Sequence, residues 1–411
     1  MKKIVILQIP NSKNNGSAMM AINTIHFYNT FFKNNCEFHC DFSTTNDYKR
    51  IKSELTENTA LISLNIETPV KGKNSFFTLI NRLKHIKKIK NKLKGIKPDA
   101  VIVLGGDDFS EYYSGWKIII RLYYIFELTK LFPVFLLGHT IGPFYSWRKK
   151  AFNILMSKAK ILTRDEPSYK YCKEELKVAN IQLGHDLAWL DLPNQSNDID
   201  IVKKYNLIEN KFMVIIPSAL VNQYTSNENH FFDSWAKLIN LLEEKKYKIV
   251  LMPHVFKMNK KDDIWAINEI EKRLGKKESS ITFIKDELLP SECRKLLSQS
   301  IFSISCRMHS AVSTLQTGKP TIAISYSAKY GGVIGSDVNL PQLIIEAVDD
   351  TLWENNIHIK ILEKINLIEN NYEELTNFIK IRIKKIKEEQ STIMNQYGEI
   401  IENNKGKVFE K

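Results

Sequence analysis

The pattern that most restricts the possible folds of this chain lies in residues 301–332. It consists of two short apolar runs separated by a helical segment. The first run spans 301–305, helical periodicity follows over 309–317, and the second run spans 321–325. Gly318 supplies the stop signal after the helix. Two strands joined through a helix are a crossover unit, so the pattern predicts a parallel sheet.

Four polar residues of this stretch fall where its strands end. Arg307 and His309 stand at the junction of the first strand and the helix, and Tyr326 and Lys329 follow the second strand. Free backbone N–H groups and the positive end of the helix dipole meet there, which favours an anion. Ligands of open α/β sheets bind at this carboxyl edge. The alternative is that Arg307 only caps a core and His309 is a packed histidine.

The same alternation of strands and helices runs through most of the chain. A length of 411 residues exceeds what one core usually serves, so we expect two domains of roughly 200 residues. The polar, turn-rich segment 192–200 is the expected linker between them. Strands are predicted at 4–9, 37–42, 60–64, 100–104, 134–137, 160–163 and 181–183 before the linker, and at 212–216, 248–252, 281–284, 301–305 and 321–325 after it.

This order predicts an α/β protein with two Rossmann-like, doubly wound domains facing across a cleft, the arrangement called glycosyltransferase-B-like. The expected boundaries are 1–192 for the first domain, 201–345 for the second and 346–411 for C-terminal helices. The first strand leads through a loop at 11–16 into a helix over 18–32, but the glycine fingerprint of dinucleotide sites is absent.

The cysteines and the apolar runs indicate a reducing compartment and no membrane span. The five cysteines show no C-x-x-C spacing, so buried thiols are favoured over disulfides or a zinc site. The apolar start of the chain is too short for a signal peptide. The longest apolar segment, 116–137, is interrupted by five charged or proline positions. We therefore expect a cytoplasmic protein.

The net charge of +13 is concentrated in one stretch. Residues 71–98 contain ten Lys or Arg and no Asp or Glu, with apolar residues at close to helical spacing. This predicts an amphipathic helix with a basic outer face, which is either solvated, bound to nucleic acid or docked on anionic lipid through Lys84–Lys94. Nucleic acid ranks last because no aromatic residues interleave with the lysines and no nucleic-acid motif is present.

Further polar groups end other strands. Gly105 and Gly106 would let a ligand approach, and Asp107 with Asp108 could supply a base or hold a divalent cation, although a tight turn with a helix cap is the structural alternative. Arg164 could hold a carboxylate or phosphate, or form a buried pair with an Asp that fixes a loop. The remaining candidates for lining the site are His139, Thr140, Ser218 and His254. No nucleophile elbow, Walker loop or His/Cys cluster is present, which argues against a serine hydrolase, a P-loop nucleotidase and a zinc enzyme.

An ordered series of motifs resembles the polysaccharide pyruvyltransferase family over most of the chain from Ile4 to about Leu340. The matching segments are Gly105-Gly106-Asp107, 138–143 (GHTIGP), 163–168 (TRDEPS), 185–188 (HDLA), 306–310 (CRMHS), Gly318-Lys319-Pro320 and Ile324-Ser325-Tyr326. Two positions depart from the family pattern. The early loop reads Asn15-Gly16-Ser17-Ala18 where an Asp commonly follows the Gly, and His139 stands where Gln is frequent.

The resemblance implies phosphoenolpyruvate as donor, no cofactor or metal, and a pyruvate ketal placed on a sugar of a bacterial surface polysaccharide or its lipid-linked precursor. It implies that Arg307 and His309 belong to the donor site and that Arg164 is a second anion contact. A group that titrates near neutral pH suits the proton transfers, so we expect His309 to serve as acid. Asp107 is the expected base for the acceptor hydroxyl.

Two other functions stay open at this stage. A glycosyltransferase of the same fold would use a nucleotide-sugar donor, commonly with an acidic residue on the ribose, and no clear Glu follows Arg307. A non-catalytic protein of surface-polysaccharide assembly could carry the same fold.

Overall fold

The computed structural model describes residues 1–9, 11–66, 75–111, 115, 118–197, 200–256, 261–275 and 280–403. The start of the basic stretch (71–74), the first two residues of the apolar segment 116–137 and two linker residues (198–199) lie outside this set. Contacts divide the chain into two compact units. The first comprises Met1–Ser12, Met20–Leu187 and Glu389–Lys411, and the second comprises Lys13–Met19 and Ala188–Glu388. Each is therefore assembled from segments distant in sequence.

The first unit contains a seven-stranded parallel sheet in the order β3-β2-β1-β4-β5-β6-β7. Its central strands β4 and β5 are buried at every residue, as expected when helices cover both faces. The strands are β1 Lys2–Leu7, β2 Cys36–Cys40, β3 Ala60–Ser63, β4 Ala100–Leu104, β5 Val134–His139, β6 Lys160–Thr163 and β7 Ile181–Leu183. The helices of this part of the chain are α1 Asn15–Phe31, α2 Thr45–Ser53, α3 Ser75–Ile96, α4 Ile118–Thr129, α5 Arg148–Met156 and α6 Glu166–Lys170.

The second unit contains a six-stranded parallel sheet in the order β10-β9-β8-β11-β12-β13. Its strands are β8 Phe212–Ile216, β9 Lys248–Leu251, β10 Ile281–Phe283, β11 Ser303–Ser305, β12 Thr321–Ser325 and β13 Ile344–Glu346. The remaining α-helices are α7 Ile201–Lys204, α8 Glu228–Glu244, α9 Asp263–Leu274, α10 Pro290–Ser298, α11 Met308–Gln316, α12 Ile357–Asn370 and α13 Tyr372–Asn403. The prediction of two Rossmann-like parallel sheets with a helical C-terminal extension is confirmed.

Three details differ from the sequence-based expectation. The sheet of the second unit does not end at β12, because the short strand β13 pairs with it. Three residues are too few for a clear periodic signal. Helix α1 begins at Asn15, so Gly16 lies in its first turn and not in the preceding loop. The first strand begins at Lys2 and ends at Leu7, two residues earlier than predicted.

Both sheets follow the strand order of dinucleotide-binding folds. The order in which strands are added to the sheet reverses between β1 and β4 in the first sheet and between β8 and β11 in the second. At such a switch point the connecting helices diverge to opposite faces and leave a crevice at the carboxyl edge. The predicted site residues follow β4, β5 and β6 in the first unit and β8, β9, β11 and β12 in the second. Each group therefore lies on adjacent strands of its own sheet.

Candidate active site

Asp263 is the centre of the second unit's polar cluster. It is the first residue of α9 and is fully buried. One carboxylate oxygen accepts the backbone N–H groups of His254 (3.1 Å) and Val255 (2.9 Å), and the other accepts that of Ala219 (3.2 Å). The carboxylate thus ties together the loops that follow β8 and β9.

Arg307 completes this cluster from the end of β11. Its Nη2 donates to Asp263 Oδ1 at 2.6 Å, and its Nε lies 3.2 Å from both carboxylate oxygens. Burial works against the charged guanidinium, but the adjacent Asp263 more than offsets it and raises the pKa of Arg307. Among the residues that the structure describes, none accepts from Nη1. That nitrogen is the one through which Arg307 can contact an anion.

Two tyrosines fix the backbone immediately before Arg307. The hydroxyls of Tyr224 and Tyr330 both donate to the carbonyl oxygen of Cys306, at 2.6 and 2.9 Å. Burial raises the pKa of both tyrosines well above the ordinary value, so the hydroxyls stay protonated and able to donate. Burial also raises the pKa of the Cys306 thiol, which makes it a poor nucleophile.

His309 occupies the first turn of α11 and packs against the first turn of α1. A Cβ atom at Gly16 would lie 2.2 Å from His309 Nδ1 and 2.5 Å from its Cβ, so only glycine leaves room for the imidazole in this position. The start of α1 is in turn held by the backbone N–H of Asn15, which donates to the carbonyl of His254 at 3.2 Å. The side chain of His309 is half-buried.

Tyr326 and Lys329 form a pair after β12. The Lys329 ammonium donates to the Tyr326 hydroxyl at 2.9 Å and lies 4.8 Å from the centre of that ring. Tyr326 also stacks edge-on against Tyr224, whose hydroxyl fixes the turn before Arg307. Asp263 balances the charge of Arg307, and Lys329 is a second basic residue beside this cluster.

Ser218 and His254 have mainly structural contacts. Ser218 is fully buried, and its Oγ accepts the backbone N–H of Leu220 at 3.1 Å. The His254 side chain is also buried. Its backbone N–H donates to the Asp263 carboxylate, and its carbonyl oxygen accepts from the backbone N–H of Asn15. Their assignment as substrate-lining residues stays a prediction, as do the roles of the other site residues.

In the first unit, Arg164 forms the buried pair that was the structural alternative. Its Nη1 donates to Asp186 at 2.9 Å, and its Nε donates to the Thr140 hydroxyl at 2.9 Å. Thr140 in turn donates to Asp165 at 2.6 Å. Burial works against the charge of Arg164, but Asp186, Asp107 and Asp165 outweigh it and raise the pKa of Arg164. The guanidinium therefore holds the ends of β5, β6 and β7 in register.

His139 and the Gly105 turn pack directly on each other. His139 is completely buried, and its Nε2 lies 3.1 Å from the carbonyl oxygen of Val103. A Cβ at Gly105 would come within 2.3 Å of His139 Nδ1, which explains the glycine. Burial lowers the pKa of His139 to about 3, with help from the charges of Arg121 and Arg164 and against the hydrogen bond to Val103. The ring is therefore neutral at physiological pH.

The two carboxylates after Gly106 have different surroundings. Asp108 is exposed and forms an ion pair with Arg121 at 3.1 Å, the arrangement expected of a surface turn residue. Asp107 is half-buried and close enough to Arg164 to influence its charge. A Cβ at Gly106 would have no atom of the described residues within 4 Å. Asp107 is thus the better placed of the two for contact with a ligand.

The structure describes all five cysteines as buried and free. In the part of the chain that it describes, no group of three His, Cys, Asp or Glu is arranged to hold a metal ion. The described helices include none that is long and apolar enough to cross a membrane.

Sequence reasoning missed Asp263, Tyr224 and Tyr330. Asp263 follows Asp262, which caps α9, so the pair looks like an ordinary helix start. No motif marks the two tyrosines, since their role depends on a carbonyl group distant in sequence.

Two Rossmann-type parallel sheets place the protein among the glycosyltransferase-B-like proteins, and solved structures of that kind share its fold. One is a UDP-GlcNAc 2-epimerase from Neisseria meningitidis, with a TM-score of 0.62, 14% identity and coverage of 96% of this chain and 99% of that one. Another is a glycosyltransferase from Rickettsia africae, with a TM-score of 0.58, 14% identity and coverage of 98% and 99%. At these identities the likeness concerns the fold alone.

The sequence defines the family within this class. A model of the family described as polysaccharide pyruvyl transferase matches residues 30–328. The amylovoran biosynthesis protein AmsJ of Erwinia amylovora is 23% identical over 317 residues, which is 74% of this chain and 72% of that protein. The chain belongs to the polysaccharide pyruvyl transferase family, and the resemblance noted from its motifs is confirmed.

Proposed function

We propose that this protein transfers the enolpyruvyl group of phosphoenolpyruvate to a sugar of a bacterial surface polysaccharide or its lipid-linked precursor, forming a pyruvate ketal and releasing phosphate. The observation that carries the proposal is the cluster of Arg307, His309 and Lys329 at one sheet edge, within a chain of the pyruvyl transferase family. The similarity to a protein of amylovoran biosynthesis supports a polysaccharide as the acceptor.

The chemistry accounts for the residue types. The donor carries a phosphate and a carboxylate, which suit Arg307 Nη1, the Lys329 ammonium and the N-terminus of α11. The methylene carbon of the donor takes up a proton, and positive charge develops on the neighbouring carbon. Two hydroxyl oxygens of the acceptor bond to that carbon, its bond to the phosphate oxygen breaks, and phosphate leaves. One of the two hydroxyl protons replaces the proton given to the methylene carbon, and the other ends on the released phosphate.

We assign the proton transfer at the methylene carbon to His309. Its imidazole is half-buried at the start of α11 and packs against Gly16, which holds it in place. An imidazole can both donate a proton and take one up, which general acid catalysis requires. Asp107 of the first unit is the proposed base for an acceptor hydroxyl, and the neutral His139 beside Gly105 serves to shape that turn.

The decisive experiment incubates the protein with phosphoenolpyruvate and a panel of synthetic or lipid-linked sugar acceptors. Mass spectrometry should detect the added pyruvate ketal, and phosphate should be released only when donor and acceptor are both present. His309→Gln, which keeps the size but cannot titrate, should abolish both signals while the circular dichroism spectrum is unchanged.

Two outcomes would contradict the proposal. The fold is shared with proteins whose structures contain UDP-GlcNAc, so titration calorimetry should compare phosphoenolpyruvate with UDP-sugars. Saturable binding of the UDP-sugar alone would favour a nucleotide-sugar glycosyltransferase. Equal inertness of wild type and His309→Ala with a verified acceptor would favour a non-catalytic role in polysaccharide assembly.

A further inference from the structure

Three helices of the first unit share one side of its sheet. Helices α3, α4 and α5 all contribute to a single apolar core with strands of that sheet. The contributing residues include Ile89 and Leu93 of α3, Leu122 and Ile125 of α4, and Phe152 and Met156 of α5. Their outward sides therefore form one continuous layer, called here the α3–α5 face.

This face is strongly basic. Helix α3 contains seven Lys or Arg and no acidic residue. Lys84, Lys87, Lys88 and Lys94 are exposed, whereas Lys90 is paired with Glu127. Helix α5 begins with Arg148, Lys149 and Lys150, of which Arg148 is paired with Glu111 and Lys149 with Glu175. A basic face alone is compatible with simple solvation, so a second feature is needed to indicate a partner.

That feature is a set of exposed apolar and aromatic side chains among the basic residues. Phe77 is 51% exposed and Leu83 is 42% exposed on α3, and Tyr145 and Trp147 are 50% and 58% exposed just before α5. A face adapted only to water would not leave such side chains uncovered in one region. Lysines interspersed with Trp, Tyr, Phe and Leu are typical of segments that lie in the interface of an anionic membrane.

Most of the exposed apolar residues lie near one end of the layer, whereas Tyr123 of α4 and Ile154 of α5 lie further along their helices. Each of the three helices follows a strand and therefore begins at the carboxyl edge of the sheet. Phe77 and Leu83 lie in the first half of α3, and Trp147 directly precedes α5. Phe77, Leu83 and Trp147 are thus near the edge at which Asp107 and the other predicted site residues of the first unit lie.

We propose that the α3–α5 face docks on the surface of an anionic lipid bilayer, with Phe77, Leu83, Tyr145 and Trp147 entering the headgroup region. Docking would bring the carboxyl edge of the first sheet to the level at which a lipid-anchored sugar is presented. The inference does not depend on pyruvyl transfer, because binding to vesicles is measured without donor or acceptor.

The first experiment measures co-sedimentation with vesicles of phosphatidylcholine and phosphatidylglycerol against phosphatidylcholine alone. The wild type should bind the anionic vesicles much more strongly. Lys84→Glu, Lys87→Glu and Lys94→Glu combined should lower the partition coefficient at least one hundred-fold, since one basic residue near an anionic surface contributes about a factor of five. The matched control combines Lys211→Glu, Lys245→Glu and Lys360→Glu, exposed residues of the second unit, and should bind nearly as the wild type does.

The second experiment tests insertion at Trp147. Brominated lipids should quench part of the tryptophan fluorescence of the wild type, because Trp147 is exposed on the α3–α5 face. Trp189, Trp235 and Trp353 are buried, and the half-buried Trp265 belongs to the second unit. Trp147→Phe should bind vesicles as before and lose that quenching. Equal binding to neutral vesicles, equal loss in the two triple variants, or displacement from anionic vesicles by stronger binding to RNA would each overturn the proposal.

Discussion

Replacing Asp263 by Asn should destabilise the second unit far more than its small change in size suggests. The carboxylate accepts three backbone N–H groups and the guanidinium of Arg307, and it has no contact with solvent. Asparagine exchanges one acceptor oxygen for an NH₂ group that would face these donors. It also removes the counter-charge of a buried guanidinium. Breaking a buried ion pair by removing one partner costs about 3–5 kcal/mol.

The reciprocal change, Arg307→Met, should cost less. The Asp263 carboxylate would keep its three backbone N–H donors, and such bonds stabilise the ionised form. Arg307 is also at the margin of the cluster, with part of its side chain open to water. We therefore expect a clear asymmetry between the two single variants. In the double variant the two costs should be less than additive by about 0.5–3 kcal/mol, because both substitutions remove the same ion pair.

Urea unfolding followed by tryptophan fluorescence measures these costs. Trp235 and Trp353 are buried in the second unit and report its unfolding. A cost below about 1 kcal/mol for Asp263→Asn, the size of an ordinary neutral hydrogen bond, would refute the central role of this carboxylate. If Arg307→Met were as unstable as Asp263→Asn, the claim that the three backbone N–H groups stabilise the Asp263 carboxylate would be refuted.

Three further outcomes are expected. Gly16→Ala should lower turnover in the pyruvyl transfer assay at least ten-fold, because the added methyl group displaces His309. The control is Gly95→Ala, where a Cβ meets no described atom within 4 Å, and it should leave turnover unchanged. Equal activities of the two variants would contradict the packing argument. His139→Gln should remove a pH dependence of the free energy of unfolding. The pKa of His139 is about 3 in the folded protein and 6.5 in the unfolded chain, so the stability present above pH 6.5 should fall by up to about 1.4 kcal/mol per pH unit as the pH drops toward 3. If urea titrations gave the variant the same slope against pH as the wild type, this would count against the buried neutral ring. His309→Ala should reduce turnover by about two to four powers of ten with an unchanged midpoint of urea unfolding, and full activity would exclude it as the acid.

Sequence alone was sufficient for every strand except β13, for the parallel sheets and for the family. Continuous apolar runs such as Ala100–Leu104 identify buried parallel strands whatever surrounds them. The polar residues after each run lie at the carboxyl edge by geometry, so Asp107, Arg164 and Arg307 could be placed at sheet edges before any coordinates were known. The helical spacing of the apolar residues within 71–98 likewise predicted helix α3.

Tertiary structure decided which groups neutralise or position one another. Arg307 and Asp263 are separated by 44 residues and Arg164 and Asp186 by 22, and nothing in either spacing indicates a pair. The sequence alone indicates that Gly16 is a loop residue. In the folded chain His309, nearly three hundred residues later, occupies the space that a side chain at position 16 would need. Local sequence sets backbone conformation and burial through short-range sterics and periodicity. Electrostatic pairing depends on distances of a few ångströms between distant segments, and only the folded chain determines those.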